Sequence, residues 1–159
     1  WSRGLGDVYK RQDDAPSTIT RLQNMGTPDY LISAACQLVV AQRLARKNCK
    51  DCRVPDDDVN PKVLQDLGFT AELASRVKAV KGKGCSKCSN TGYKGRQGIY
   101  EILVVSKPLK EAILRQATTP ELREIGVKEG FQTMQDMGRR LIASGELNFR
   151  EYERVLSEG

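Results

Sequence analysis

From residue 13 onward, apolar positions recur at helical spacing. Asp14 is placed to cap a helix, Pro16 suits its first turn, Ile19 and Leu22 lie three apart and Gly26 can end it. Thr27-Pro28-Asp29 then predicts a second, longer helix. Its apolar positions Tyr30, Leu31, Ala34, Ala35, Leu38, Val39, Ala41 and Leu44 cover more than one face, so it is expected to be largely buried. Gln42, Arg43, Arg46 and Lys47 give it a cationic last turn that complements the helix dipole. Cys36 would lie mid-helix as a small buried hydrophobe. Residues 1–12 follow neither period and carry Gly4 and Gly6 in a polar setting, the pattern of a disordered leader or a non-native junction.

Past residue 48 the regularity breaks. Asp56, Asp57 and Asp58 open an acidic insert in which the paired acids Asp57 and Asp58 read as a solvated loop, followed by short helical patterns over residues 63–67 and 71–80. Gly82, Gly84, Gly92, Gly95 and Gly98 mark turns, and residues 99–105 predict a strand. The remainder is helical. Residues 107–117 form one segment, Thr118 with Glu121 makes a capping-box spacing for the next, Thr133 with Asp136 repeats it, and Phe149, Tyr152, Val155 and Leu156 share one side of a last helix.

Between these patterns lie two CxxC pairs, Cys49-Lys50-Asp51-Cys52 and Cys85-Ser86-Lys87-Cys88. A two-residue spacer lets both sulfurs of a pair reach one ion, and two such knuckles supply the closed tetrahedron that zinc prefers. Such a site has no open coordination position, so it staples structure and does not catalyse. The stretch between the pairs is longer than in compact zinc ribbons. Two alternatives remain open at this level: a pair of redox disulfides, which a chain without an export signal disfavours, and iron–sulfur ligation, which spacing alone does not exclude.

The metal changes the charge picture. The formal net charge is +6, but four thiolates and a divalent ion lower it to about +4. Lys47, Lys50, Arg53, Lys83 and Lys87 crowd the cysteines, so much of the basic excess balances the site. With aromatics at 6% and none interleaved among the basic residues, nucleic acid is not an expected partner. The chain has no histidine, which excludes Ser-His and Cys-His nucleophiles. It has no GxxxxGK[ST] loop either; Gly92-Tyr93-Lys94-Gly95-Arg96-Gln97-Gly98 lacks the ending that holds phosphate and magnesium and reads as a tight turn entering the strand. No stretch approaches the roughly 20 apolar residues that span a bilayer, and the default compartment is the cytosol.

The ordered set Asp14-Ala15-Pro16-Ser17-Thr18-Ile19-Thr20-Arg21-Leu22, Met25-Gly26, Ala41-Gln42-Arg43-Leu44, the cysteine pairs, Thr91 to Glu101, Glu129-Gly130-Phe131-Gln132-Thr133-Met134 and the Glu151 to Leu156 tail resembles the C-terminal region of the type II secretion and type IV pilus motor ATPases, the type II secretion system protein E family. Cys49-Lys50-Asp51-Cys52 and Leu67-Gly68-Phe69 look more like the pilus extension motor than the secretion motor. The resemblance implies an α/β fold, part of a RecA-like P-loop ATPase. It also implies a cytoplasmic homohexamer peripheral to the inner membrane, working beneath a membrane platform protein and powered by ATP with magnesium. In that family the phosphate loop and acidic magnesium motifs precede the Asp-Ala-Pro-Ser stretch. Here residues 1–12 stand in that place and match nothing expected, so the chain is expected to be a partial sequence, inactive alone.

The resulting organisation is a leader over residues 1–12, C-terminal helices of the ATPase core over 13–48, a tetracysteine zinc lobe over 49–98, and a strand with a helical subdomain over 99–159. Metal ligands are Cys49, Cys52, Cys85 and Cys88, with no catalytic residue in the chain. Arg43 and Arg46 are candidates for a nucleotide or subunit contact, with ordinary surface arginines as the alternative. Two other readings compete with the motor: a free-standing zinc-ribbon module binding nucleic acid or protein, and kinship with the zinc repeats of J-domain chaperones, which need more cysteine pairs than this chain has.

Overall fold

The computed structural model describes residues 14–156, and the expected leader lies outside them. In chain order the elements are α1 (Ala15–Asn24), α2 (Asp29–Ala35), β1 (Leu38–Asn48), β2 (Arg53–Pro55), α3 (Pro61–Asp66), α4 (Ala71–Arg76), β3 (Val80–Gly82), β4 (Tyr93–Val104), α5 (Lys107–Leu114), α6 (Thr119–Lys128), α7 (Met134–Ala143) and α8 (Phe149–Leu156). Among the described residues β1 pairs with β4, and β2 with β3. The described residues mix helices and strands, the strands lying in two two-stranded sheets. The chain divides into two compact units, one comprising residues 14–41 with Tyr100–Thr133, the other Gln42–Ile99 with residues 134–156.

In the first unit α1 starts where its capping pattern predicts. The Asp14 carboxylate accepts from the Ser17 amide at 2.9 Å, and the Asp14 amide donates back to the Ser17 hydroxyl at 3.0 Å. Glu101, a buried acid on β4, accepts the Ala15 amide and so satisfies another of the orphan donors at the helix start. The Glu121 carboxylate likewise accepts from the Thr118 amide at 2.8 Å, as the capping-box spacing requires. Ile19, Ile32, Leu103, Leu109, Ile113 and Leu122 are buried in this unit. Gly126 is packed so closely that a Cβ there would meet Leu103 Cδ1 at 2.7 Å.

The long second helix is overturned. α2 stops at Ala35, Cys36 is its half-buried cap in an extended conformation (φ −77°, ψ 120°), and the backbone from Leu38 onward is strand. Burial alternates, with Val39 and Ala41 inside and Leu38 and Val40 outside, while Tyr30, Leu31 and Leu44 are also exposed. The alanines, leucines, arginines and glutamine of this stretch favour helix intrinsically. Pairing with a distant strand overrides that preference, and the Gln37 carbonyl accepts from the Val105 amide at 2.8 Å. Arg43, Arg46 and Lys47 therefore stand on a strand, not on a helix end.

In the second unit the tail behaves as its pattern predicts: α8 buries Tyr152, Val155 and Leu156. α7 packs closely on it through Gly138, where a Cβ would meet the Tyr152 ring at 2.7 Å. The stretch between the cysteine pairs holds α3 and α4, each capped by a side-chain oxygen, from Asn60 and Thr70. Antiparallel pairing of Arg53 with Gly82, Val54 with Lys81 and Pro55 with Val80 closes it. Asp57 and Asp58 are exposed as expected, but Asp56 is buried and pairs with Lys81 at 3.0 Å.

Candidate metal centre

Each cysteine pair lies on one tight turn, Lys50–Cys52 and Ser86–Cys88. The four sulfurs converge, all within 4.8 Å of one another. Three separations define the shape: Cys49 to Cys85 at 3.9 Å, Cys52 to Cys88 at 3.9 Å and Cys85 to Cys88 at 3.7 Å. A tetrahedron with zinc–sulfur bonds of 2.3 Å has edges of about 3.8 Å. The donor set therefore fits one tetrahedral ion. The same distances are nearly twice a disulfide bond, and they leave no room between the thiolates for the core of an iron–sulfur cluster. Four thiolates suit zinc, which would be held by Cys49, Cys52, Cys85 and Cys88 as a structural ion.

The backbone around the sulfurs is arranged to receive negative charge. The amides of Gly84 and Gly92 donate to Cys52 and Cys88 Sγ, each at 3.3 Å, and the Cys85 amide donates to Cys88 Sγ at 3.2 Å. Burial pushes the Cys88 thiol up, but its two amide donors, with the neighbouring thiols of Cys85 and Cys52, outweigh burial and bring its pKa down to about 6. Cys52, with one amide donor, is driven by burial up to about 11. Lys87 of the second knuckle pairs with Asp51 of the first at 2.9 Å, tying the two turns across the site.

Gly82 and Gly92 let the two segments touch. The Cys49 amide donates to the Gly92 carbonyl, and the Lys83 amide to the Cys52 carbonyl. A Cβ on Gly82 would overlap the Gly92 carbonyl, which is backbone and cannot swing aside. Gly82→Ala is therefore expected to lower stability by roughly 2–3 kcal/mol and to loosen metal retention. Urea unfolding with metal analysis checks this, and an unchanged midpoint would contradict the close approach.

The glycine-rich run after Cys88 is mostly β4 itself, with Gly95 and Gly98 inside the strand and only Gly92 in a turn before it. Gly92 makes the turn at φ +78°, and Gly95, at φ +81°, kinks the strand from within. Neither Arg43 nor Arg46 points a free fork outward. Arg43 Nη1 donates to the Val155 carbonyl at 2.6 Å, and Arg46 pairs with Glu151 at 2.8 Å while its guanidinium lies 4.1 Å from the Tyr93 ring centroid.

Glu151 is the group that sequence patterns missed. Its carboxylate is fully buried and accepts from the Arg46 amide and side chain and from Arg154. The Glu151 amide donates to Asn148 Oδ1, whose own amide donates to the Tyr93 hydroxyl at 3.0 Å. Burial pushes the Glu151 carboxyl up, but the hydrogen bonds from Arg154 and Arg46 outweigh it and hold the pKa at about 2. A glutamate one turn before an arginine on an amphipathic helix looks like a surface pair. Only the position of Arg46 on β1 shows otherwise.

A family model described as Type II/IV secretion system protein matches residues 11–154. The chain belongs to this family, which includes the type II secretion and type IV pilus assembly ATPases. It is 33% identical over 139 residues to the type IV pilus assembly ATPase PilB of Myxococcus xanthus, an alignment covering 87% of this chain and 25% of that protein. It is 38% identical over 126 residues to PilB of Thermus thermophilus, covering 79% and 14%. To the type II secretion system protein HxcR of Pseudomonas aeruginosa it is 34% identical over 143 residues, covering 90% and 26%. The chain thus spans about a quarter or less of the length of these relatives. Among the described residues no helix is long and apolar enough to cross a membrane.

Proposed function

We propose that this chain is the C-terminal part of a cytoplasmic, hexameric ATPase that powers type IV pilus assembly or type II protein secretion against an inner-membrane platform. Within it the four cysteines hold a structural zinc ion. The observation that carries the reading is a family match running almost end to end through a segment whose four sulfurs gather at tetrahedral spacing. In this reading the ATP- and magnesium-binding groups belong to preceding polypeptide, and the metal lobe is a rigid fitting on the motor. The Cys49-Lys50-Asp51-Cys52 knuckle favours the pilus extension branch. Arg43 and Arg46 serve the fold rather than the nucleotide, because both direct their donors to partners inside the chain.

The deciding test is the gene upstream of Asp13, paired with a binding assay on the purified chain. An in-frame phosphate loop upstream, with no nucleic-acid binding, supports the motor. A start codon there, with DNA or RNA binding that weakens steeply as salt rises, would replace it with a free-standing zinc module.

A further inference from the structure

The strand that leads into the first knuckle and the strand that leaves the second are both bonded to one short segment, Gly145 to Glu151, where α7 gives way to α8. On the incoming side the Arg46 amide donates to the Glu151 carboxylate, and the Asn48 amide to the Glu146 carbonyl, each at 2.8 Å. Lys47, between them, pairs with Glu146 at 3.2 Å. The buried Asn48 side chain donates to the Gly145 carbonyl at 3.1 Å, and Cys49 is the next residue. On the outgoing side Asn148 Nδ2 donates to the Tyr93 hydroxyl at 3.0 Å. Tyr93 follows Gly92, whose amide donates to Cys88 Sγ and whose carbonyl accepts from the Cys49 amide.

Asn148 serves both sides of this junction. Its Oδ1 accepts from the Glu151 amide at 2.8 Å and its carbonyl from the Tyr152 amide at 3.0 Å, so the residue starts α8. Its Nδ2 reaches Tyr93. Asn148 is buried, so a broken bond on either side leaves a polar group that water cannot easily satisfy. One side chain therefore begins the last helix and fixes the chain as it leaves the second knuckle. A segment bonded to both flanks of a four-sulfur site sets how the knuckles face each other before an ion arrives, and a preorganised site loses less freedom on binding.

We propose that the Gly145–Glu151 segment is a clamp that presets the metal centre, with Asn148 as a positioning residue acting through Tyr93, so that metal retention and the docking of α8 are coupled. The proposal rests on the metal-centre reading above. Coupling of this kind is mutual: the factor by which the docked clamp tightens metal retention is the factor by which the metal tightens the docking of α8. A residue that only fills space between α8 and the strands lowers stability without any such two-way dependence.

The test uses the full chain as wild type, Asn148→Ala, Tyr93→Phe and the double variant. Asn148→Ser, whose hydroxyl can still accept from the Glu151 amide, replaces Asn148→Ala should that variant fail to fold. Tyr93→Phe keeps the ring against the Arg46 guanidinium and loses only the hydroxyl. In competition with a chromophoric chelator, each single variant should hold zinc about fivefold less tightly than wild type, and the double variant no less tightly than Asn148→Ala. In the reciprocal measurement, stripping zinc should lower hydrogen-exchange protection of the Glu151 and Tyr152 amides about fivefold in wild type, and by less in Tyr93→Phe. Zinc affinity equal to wild type in both single variants overturns the proposal. So do losses that simply multiply in the double variant, or protection at Glu151 and Tyr152 that ignores the metal. A wild-type chain that takes up no zinc at all overturns the metal-centre reading instead.

Discussion

Stripping zinc from the chain with a strong chelator is expected to unfold the cysteine lobe. Apart from the α3–α4 insert, whose Leu64, Phe69 and Ala74 are buried, residues 49–91 are tied to one another by two short turns, a ladder of three residue pairs and a few backbone bonds between glycine-flanked segments. Those contacts alone offer little buried apolar surface near the sulfurs. Metal binding to such sites is worth on the order of 10 kcal/mol, and because the unfolded chain has no preformed site, that sum counts as folding free energy. Amide protection at Gly84, Cys85, Cys88 and Gly92 should fall to that of an unstructured peptide when metal analysis reads zero. It should return on adding zinc back. Protection that survives verified removal would mean that the lobe is held by something other than the ion.

The second large effect is expected at Glu151. Replacing it with Gln removes the one anion that satisfies the Arg46 amide, the Arg46 fork and Arg154 together. Both arginines are about half exposed, so water can recover part of what they lose. We expect a loss of about 3 kcal/mol, near the lower end of the range for breaking a buried pair. The pH dependence gives a sharper signature. The folded carboxyl sits at about 2, against 4.5 for the free group, so a depressed acid is involved and the unfolded state binds the proton more tightly. Its stabilisation is complete above pH 4.5 and disappears as pH falls towards 2, a linkage effect on the order of 3 kcal/mol. The stability difference between wild type and Glu151→Gln should therefore shrink across that window. A difference that stays constant from pH 6 to pH 2.5 would show that the charge is irrelevant.

The residues that sequence reading placed correctly are those whose information is local. Asp14, Pro16 and Ser17 specify the start of α1 within four positions, and Phe149 to Leu156 carry a single helical face. The cysteine pairs announce through spacing alone that their four sulfurs can gather at one point. What escaped was set by partners far along the chain. β1 resembles a helix because Ala41, Ala45, Leu44 and Arg46 are good helix formers, and nothing nearby reveals that β4 lies alongside. Cys36 was misplaced with it. The length of β4 escaped for a related reason: Gly95 and Gly98 punctuate a strand they do not end. Glu151 and Asp56 look like ordinary surface charges until the backbone shows them buried, so their roles follow from topology, not composition.

The β2–β3 ladder makes the long stretch between the cysteine pairs behave like a stem with a removable head. The stem, pairing Arg53 with Gly82, closes the ring that carries α3 and α4 beyond the ion. The entropy of closing that ring depends only weakly on its length, about 0.6 kcal/mol per doubling. Changes of length within the two-helix head are therefore expected to cost the knuckles little, and what steadies the head is its tie to α7, where Arg139 Nη1 donates to the Leu67 carbonyl at 3.0 Å.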